Sequence, residues 1–259
     1  MVTKRIEYLS LKSKIAIATE VVKEAYERFL RPAIVFNGDK DSTVVLDLVK
    51  KYSVSNNVPV LPALFIDHGM HFDETWKFLE RAKDVWGIKV IVEKNENALS
   101  HVSNGVISVD SLNSKNRNEL EQLNYRENSI PVSLHSEVAN HLLRTVPMNE
   151  AIEKYRFDAL LVGLRWDENE AVASEVFISP KNNPFHYRIH PILTFTEKDI
   201  WAYILQNNLP KHPLYSKGFR SIDSKEDSVP ESSIPAWEQT GRYQDEEEMI
   251  ERLRNWGYI

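Results

Sequence analysis

The sequence predicts an α/β fold, with a doubly wound and mainly parallel sheet of five strands. Short apolar runs alternate with longer amphipathic segments along the 259 residues, which is the order expected of strands and crossover helices. The apolar runs show no polar alternation, as expected of strands that are covered on both faces. Polar loops that contain glycine follow several runs, at the strand ends where open α/β sheets bind ligands.

Each predicted element rests on the periodicity of its own segment. Apolar runs predict strands at residues 33–36, 62–67, 88–92 and 159–162, and a short fifth strand at 188–192. Apolar residues at three-four spacing predict helices at residues 12–30, 43–52, 73–86, 136–155 and 245–254, and another that begins at a capping box, Thr196 to Asp199. We expect the 136–155 helix to break at Pro147.

Composition limits the class of protein. The net charge of −6 argues against a broad nucleic-acid surface. No apolar run approaches the roughly 20 residues of a membrane span, and the N-terminus lacks a signal-peptide core, so we expect a cytoplasmic protein that does not contact membranes. The chain contains no cysteine, which excludes thiol chemistry and cysteine-bound zinc or iron–sulfur sites.

The segment that follows the first strand carries the most informative motif. Phe36-Asn-Gly-Asp-Lys-Asp-Ser-Thr43 joins a strand to a helix through a polar turn. The first amides of a helix lack helical partners, and together with the helix dipole and the Lys40 ammonium they favour an anion. Many turns of this kind bind nothing, so the pattern alone leaves both interpretations open. The spacing is not that of a Walker loop.

Two further loops bring charge to the same edge of the predicted sheet. Asp67 ends the second strand and either contributes to a site or caps its own loop. The segment Gly163-Leu-Arg-Trp-Asp-Glu168 sets Arg165 beside two carboxylates, either to grip an anion or as a surface ion pair. Arg188 and His190 are candidates to add positive charge to this cleft.

The C-terminal part of the chain combines cations with aromatic rings. A loop at 212–222 contains a set suited to wrapping a nucleotide: Tyr215, Lys217, Gly218, Phe219 and Arg220. Gly241 and Arg242 form a later pair of the same character. An acidic run at 245–248 is interpreted as a solvated helix start, since acidic residues favour that end of the helix dipole.

The loop at 37–42 resembles the Ser-Gly-Gly-x-Asp-Ser loop of the PP-loop ATP pyrophosphatase superfamily, which grips the pyrophosphate end of ATP. Asp39 stands where that superfamily usually has a second glycine. A carboxylate about 5 Å from a phosphate oxygen costs about 3 kcal/mol at an effective dielectric constant of about 20, unless it points away or helps to bind a cation.

Several motifs together resemble the adenylyl-sulfate/PAPS reductase family, which includes the small, ATP-splitting subunit of bacterial-type sulfate adenylyltransferase. They occur in family order at residues 37–42, 65–72, 158–168, 190–203, 213–215, 218–222 and 241–242. The resemblance covers about residues 12–259, with 95–130 poorly matched, and the closing 249–259 is more similar to the adenylyltransferase subunit. Reductases of the family attack sulfur with a cysteine thiolate, which this chain lacks.

The resemblance implies an adenylyltransferase that splits ATP into an AMP adduct and pyrophosphate, with sulfate as the expected acceptor. It implies an adenine-nucleotide-α-hydrolase-like domain at residues 1–208, which 95–130 interrupts as an insertion, and a substrate-covering extension at 209–259. One alternative is a cysteine-free homologue of PAPS or APS reductase that binds adenine nucleotides (ATP, or one of the APS or PAPS type) without reductase activity. Another is an FMN adenylyltransferase similar to eukaryotic FAD synthetase.

The resemblance also implies roles for single residues. Lys40, Arg165 and Arg220 are the expected catalytic cations, and Mg²⁺ is expected beside Asp41 or Asp67. The expected nucleotide-binding residues are Phe36, Asn37, Gly38, Asp39, Lys40, Asp41, Ser42, Thr43, Asp67, Gly163, Tyr215, Gly218, Phe219 and Arg242. The implied partners are a small oxyanion, an adenine nucleotide, and either a GTPase large subunit or a second copy of the chain.

Overall fold

A computed structural model describes residues 9–168 and 172–226 of the chain. The predicted helix at 245–254 and the Gly241–Arg242 pair lie outside these residues. The division of the chain at residue 208 stays a prediction, because most of the expected C-terminal extension is not described.

Strands and helices alternate through most of the described chain. The strands are β1 (Pro32–Val35), β2 (Ala63–Ile66), β3 (Val90–Glu93), β4 (Val102–Ser103), β5 (Val106–Ser108), β6 (Ser129–Pro131), β7 (Ala159–Leu161), β8 (Ile178–Asn182) and β9 (Phe185–Ile189). The α-helices are α1 (Leu11–Arg28), α2 (Lys40–Asn56), α3 (Asp73–Trp86), α4 (Glu96–Ser100), α5 (Ser114–Gln122), α6 (Glu137–Asn140), α7 (Val146–Tyr155) and α8 (Glu197–Gln206). None of the helices within the described ranges is long and apolar enough to span a membrane.

The central sheet confirms the predicted fold class. Its strand order is β3-β2-β1-β7-β9-β8, and β3, β2, β1, β7 and β9 run parallel to one another, as predicted. The fifth of them, β9, lies at Phe185–Ile189, three residues before the predicted range of 188–192. The sixth strand, β8, was not predicted; it pairs antiparallel with β9 at the edge of the sheet. Its sequence contains Pro180, and proline is tolerated in a sheet mainly at an edge strand. The strand was missed because its polar residues leave no apolar run.

Residues 95–130, the expected insertion, include most of a small antiparallel sheet and two helices. Strands β4, β5 and β6 make an antiparallel three-stranded sheet beside α4 and α5. Ile107 and Ile130 are fully buried in an apolar cluster that also takes Leu142 from the π-helical turn His141–Thr145. That turn joins α6 to α7, so the expected break lies just before Pro147.

The direction of the crossovers creates a switch point beside β1. The chain runs outward from β1 through β2 to β3 and then returns to β7 on the other side of β1. Loops that leave the carboxyl ends of β1 and β7 therefore diverge and leave a crevice, which is where open α/β sheets bind ligands. Burial of both sheet faces, for example Ile34 on one and Leu160 on the other, explains the continuous apolar runs.

A buried ion pair fixes α1 against α8. Lys14 is 2% exposed, and its Nζ lies 2.5 Å from Asp199 Oδ2. Asp199 also closes the predicted capping box with Thr196 at the start of α8. Burial opposes ionisation of Asp199, but hydrogen bonds from Lys14 and Thr196 outweigh it and lower the pKa of the carboxyl. The ionised carboxylate therefore stabilises the packing of these two helices.

We predict that Lys14→Met lowers the free energy of unfolding at pH 7 by about 3 kcal/mol, because it removes the cation from a buried carboxylate. Equilibrium urea unfolding measures the loss, and Lys12→Met, on the exposed side of the same helix, is the matched control. Since the folded pKa of Asp199 lies below its ordinary 3.8, the pair stabilises the protein above that pH, and the loss shrinks as the pH falls below it. Equal stability of the two variants at pH 7 would contradict this role.

Candidate active site

The loop that follows β1 is turned by a glycine and held by an asparagine. Gly38 has a φ of +85°, a left-handed conformation that favours glycine. Asn37 Oδ1 accepts hydrogen bonds from the Asp39 amide at 3.2 Å and from Ser42 Oγ at 2.8 Å. The Asn37 side chain therefore ties the turn to the first turn of α2.

The Asp39 side chain caps the N-terminus of α2. Its Oδ1 accepts a hydrogen bond from the Ser42 amide at 2.6 Å, and its Oδ2 accepts one from Asn37 Nδ2 at 3.3 Å. Burial and the nearby Asp41 charge raise the pKa of Asp39, against the lowering effect of Lys40. Asp is a favourable N-cap. Here, however, the cap is a negative charge at the helix terminus where the sequence predicts an anionic ligand.

Lys40 connects the loop to the C-terminal part of the described chain. Its amide donates to the Tyr215 hydroxyl at 2.8 Å, and its ammonium donates to the Arg220 carbonyl oxygen at 3.4 Å. The same ammonium lies 3.3 Å from Asp41 Oδ2 and 3.8 Å from Glu197 Oε1. Both donor groups of Lys40 are thus held by residues of this chain.

The loop that follows β7 packs directly on the first turn of α2. A Cβ atom on Gly163 would lie 2.8 Å from main-chain atoms of Asp41 and Ser42, so glycine is what permits the approach. Two residues further on, the Arg165 guanidinium is 5% exposed and forms an ion pair with Asp41 across the switch point. The loops that follow β1 and β7 therefore meet as the topology requires.

Arg165 gathers two more carboxylates from its own loop. Its Nε lies 2.7 Å from Asp167 Oδ1, and its Nη1 lies 3.6 Å from Glu168 Oε1. Burial raises the pKa of Glu168 to about 8, although the Arg165 charge acts against the rise. Arg165 is thus a buried cation, paired with the buried Asp41 and with two more exposed carboxyl groups, rather than part of the surface ion pair that the sequence left open.

The segment that follows α8 lies against the loop that follows β1, where the Tyr215 hydroxyl accepts the hydrogen bond from the Lys40 amide. Tyr215 belongs to a 3₁₀ helix at Pro213–Lys217 and meets the edge of Trp201 at a ring separation of 4.9 Å. Gly218 ends that helix with a φ of +86°, and the Phe219 ring then packs edge-on against Phe72 at 5.7 Å. The segment carries its predicted aromatic and glycine residues onto the edge of the site.

Two predicted residues have surroundings other than those expected, and a third is not described. Phe36 is 1% exposed and packs near Phe78 in the core, so any nucleotide contact must come from its main chain. Asp67 Oδ1 accepts the Gly69 amide at 2.9 Å, which is the loop-capping role that the sequence left open. Arg242 lies outside the described residues. Their roles in a site stay predictions.

The prediction that His190, which follows β9, adds positive charge to the cleft is wrong. Its Nδ1 lies 2.8 Å from the Val176 carbonyl oxygen, and burial lowers its pKa to about 4, so the ring is neutral at neutral pH. Arg188 is also buried, and its Nε donates to His186 Nε2 at 2.9 Å.

Two residues at the site were missed by the sequence analysis. Glu197 pairs with Arg220 at 2.7 Å, and its amide donates to Asp167 Oδ2 at 2.7 Å. An acidic residue in the first turn is typical of any helix, so its pattern carried no signal. His212 is buried, with Nε2 3.1 Å from Thr75 Oγ1, and only its position beside the Pro213-Leu-Tyr motif could have drawn attention to it.

The family of the chain can be assigned once this geometry is known. The model of the phosphoadenosine phosphosulfate reductase domain matches residues 31–228, which include both loops of the switch point and the segment that carries Tyr215. The chain belongs to this family. Membership confirms the resemblance that the motifs at 37–42, 158–168 and 213–222 carried.

Among curated proteins, this chain is similar in sequence to proteins named as adenylyltransferase subunits. Sulfate adenylyltransferase subunit 2 of Brucella anthropi is 29% identical over 230 residues, a match that covers 80% of this chain and 66% of that protein. The subunit of the same name from Methylorubrum extorquens is 29% identical over 237 residues, with the same coverage. The chain thus spans just under two thirds of the length of these relatives.

Solved structures share the fold. The phosphoadenylyl-sulfate reductase of Candida auris has a TM-score of 0.59 at 19% identity, covering 88% of this chain and 94% of that one. The Candida glabrata FMN adenylyltransferase in complex with ATP has a TM-score of 0.56 at 18% identity, and the match covers 90% of this chain and 73% of that one. At these identities the likeness shows a shared α/β fold and nothing about the chemistry of the site.

We predict that Gly163→Ala lowers the free energy of unfolding by about 2 kcal/mol, because the added methyl group meets the main chain of α2, which cannot move aside cheaply. Urea unfolding measures the loss. Gly105→Ala is the matched control: it has a φ of +74° but no atom within 4 Å of the added Cβ, so only backbone strain of about 1 kcal/mol applies. A loss no larger than that of the control would show that the two loops do not pack this closely.

Proposed function

We propose that this chain is an adenylyltransferase, which transfers AMP from ATP to a small oxyanion and releases pyrophosphate, with sulfate as the first acceptor. The observation that carries the proposal is the convergence of Lys40, Arg165 and Arg220 around the start of α2 at the switch point. Two of these cations are buried, and a polyphosphate is the ligand class that such a cluster favours. The name shared by the curated relatives supports the same reaction class.

The proposed reaction needs positioning and charge stabilisation and no covalent intermediate. An acceptor oxygen attacks the α-phosphorus of ATP, a new P–O bond forms, and the bond to the leaving pyrophosphate breaks. The loop at 37–43, with Lys40, would hold the β- and γ-phosphates. Arg165 and Arg220 would stabilise the charge that develops around the α-phosphate, and Gly163, Tyr215, Gly218 and Phe219 would line the nucleotide.

Magnesium enters the proposal as part of the substrate, MgATP. Within residues 9–168 and 172–226, no group of three or more His, Asp or Glu side chains has the arrangement of a metal site. That finding is compatible with Mg²⁺, which commonly binds one or two carboxylates together with substrate phosphates. Asp41 and Asp67 are the carboxylates that we propose to lie beside it.

Reductase chemistry does not fit this chain. Its 259 residues contain no cysteine, and no other side chain replaces a thiolate as the nucleophile toward sulfur. Because sulfate adenylylation is strongly uphill, the proposal includes a second protein that supplies free energy, a GTPase large subunit. The relatives are named as a second subunit, which supports a partner of some kind.

We predict that the chain releases pyrophosphate from ATP and Mg²⁺ in an acceptor-dependent manner, and that Lys40→Ala reduces the rate at least 100-fold, about 2.7 kcal/mol of transition-state stabilisation. A coupled pyrophosphate assay compares sulfate, FMN and no acceptor, each with and without a GTPase partner and GTP. Lys77→Ala, an exposed lysine on α3, is the matched control.

The acceptor that supports release identifies the substrate. If pyrophosphate is released with FMN and not with sulfate, FMN replaces sulfate as the proposed acceptor. Failure of every acceptor in the presence of the partner, or equal rates for wild type and Lys40→Ala, would contradict adenylyl transfer at this site.

A further inference from the structure

Several donors of the loop at 37–43, which the proposed function assigns to the phosphates of ATP, already have acceptors within the chain. The Ser42 amide donates to Asp39 Oδ1 at 2.6 Å, and Ser42 Oγ donates to Asn37 Oδ1 at 2.8 Å. The Lys40 amide donates to the Tyr215 hydroxyl at 2.8 Å. A phosphate oxygen can receive these hydrogen bonds only if the internal acceptors leave, so binding at this loop is an exchange of acceptors.

The charges around the loop are weighted toward carboxylates. In the described part of the chain, the ion pairs and the helix cap of the site bring together five carboxylates and three cations. The carboxylates are Asp39, Asp41, Asp167, Glu168 and Glu197, and the cations are Lys40, Arg165 and Arg220. Burial raises the pKa of Glu168 to about 8, so at neutral pH the balance is four carboxylates against three cations. A triphosphate without metal would enter a site of its own sign, whereas a divalent cation on the phosphates would be attracted.

Asp39 differs from the other carboxylates in its contacts. Asp41 and Glu197 each face Lys40, and Asp167 and Glu168 each face Arg165, so each of these four lies beside a buried cation. Asp39 instead binds neutral donors of the loop, the Ser42 amide and the Asn37 amide group. Its charge is therefore the one that a phosphate would replace most directly.

We propose that Asp39 is a specificity-determining residue, which occupies the phosphate position of the loop and admits a polyphosphate only when a divalent cation accompanies it. The inference rests on the proposed function for the identity of the ligand. When MgATP enters, the carboxylate leaves the Ser42 amide to a phosphate oxygen, and its charge then lies beside the metal-bearing phosphates. A neutral residue at position 39 abolishes this selection.

The test is a thermodynamic cycle between residue 39 and the metal. Isothermal titration calorimetry of the full chain gives the Kd of ATP with Mg²⁺ and with EDTA, for wild type and for Asp39→Asn. We expect Asp39→Asn to bind metal-free ATP at least tenfold more tightly than wild type does. We also expect the ratio of the Kd in EDTA to the Kd in Mg²⁺ to fall at least tenfold in the variant. Asp73→Asn, an exposed carboxylate at the start of α3, is the matched control and should leave both values unchanged.

Asn and Ser are as good as Asp at an N-cap, so Asp39→Asn and Asp39→Ser both preserve the capped helix, and thermal unfolding verifies this for each. Equal tightening with and without Mg²⁺ would overturn the selection of cations. Unchanged affinities, or no ATP binding by either protein, would overturn the role of Asp39 altogether. Because the readout is binding, a chain that shows the expected cycle but no acceptor-dependent pyrophosphate release would lose the proposed function and keep this inference.

Discussion

The ion pair between Arg165 and Asp41 is the contact on which the rest of the site depends. Arg165 comes from the loop that follows β7 and Asp41 from the first turn of α2, so the pair spans the switch point of the sheet. A guanidinium this deeply buried is stable only when carboxylates compensate for its lost hydration. Gly163 lets the two loops approach closely enough for that pairing.

Much of the fold could be predicted because its signals are local. Continuous apolar runs marked four of the five parallel strands, since burial on both faces leaves no polar alternation. The fifth was predicted at 188–192, a segment with Arg188 and His190, and lies at Phe185–Ile189. The capping box at Thr196 was legible because its two partners are three residues apart. The edge strand β8 and the small sheet of residues 102–131 were not predicted, because their short, polar strands are defined by pairing with distant segments.

In the candidate site, too, local features were predicted from the sequence and long-range contacts were not. The loop at 37–42 and the Arg165 loop were found by residue type and position, since both follow apolar strands. The contacts that fix their chemistry, Tyr215 on the Lys40 amide and Glu197 beside Lys40, join segments more than 150 residues apart. The orientation of the Asp39 side chain could not be predicted from the sequence either, because an aspartate at that position can cap the helix or point away from it.

The two buried cations of the site, Lys40 and Arg165, are paired by carboxylates of this chain. A cation away from water cannot be left unpaired, so a polyphosphate that binds such cations must compete with these internal anions. Each phosphate contact then replaces an internal one, and the net affinity reflects the difference between two sets of pairings. Under such exchange, the residues that set specificity are the internal acceptors as much as the cations. In this chain the proposed acceptor of this kind is Asp39, which caps α2 by accepting a hydrogen bond from the Ser42 amide.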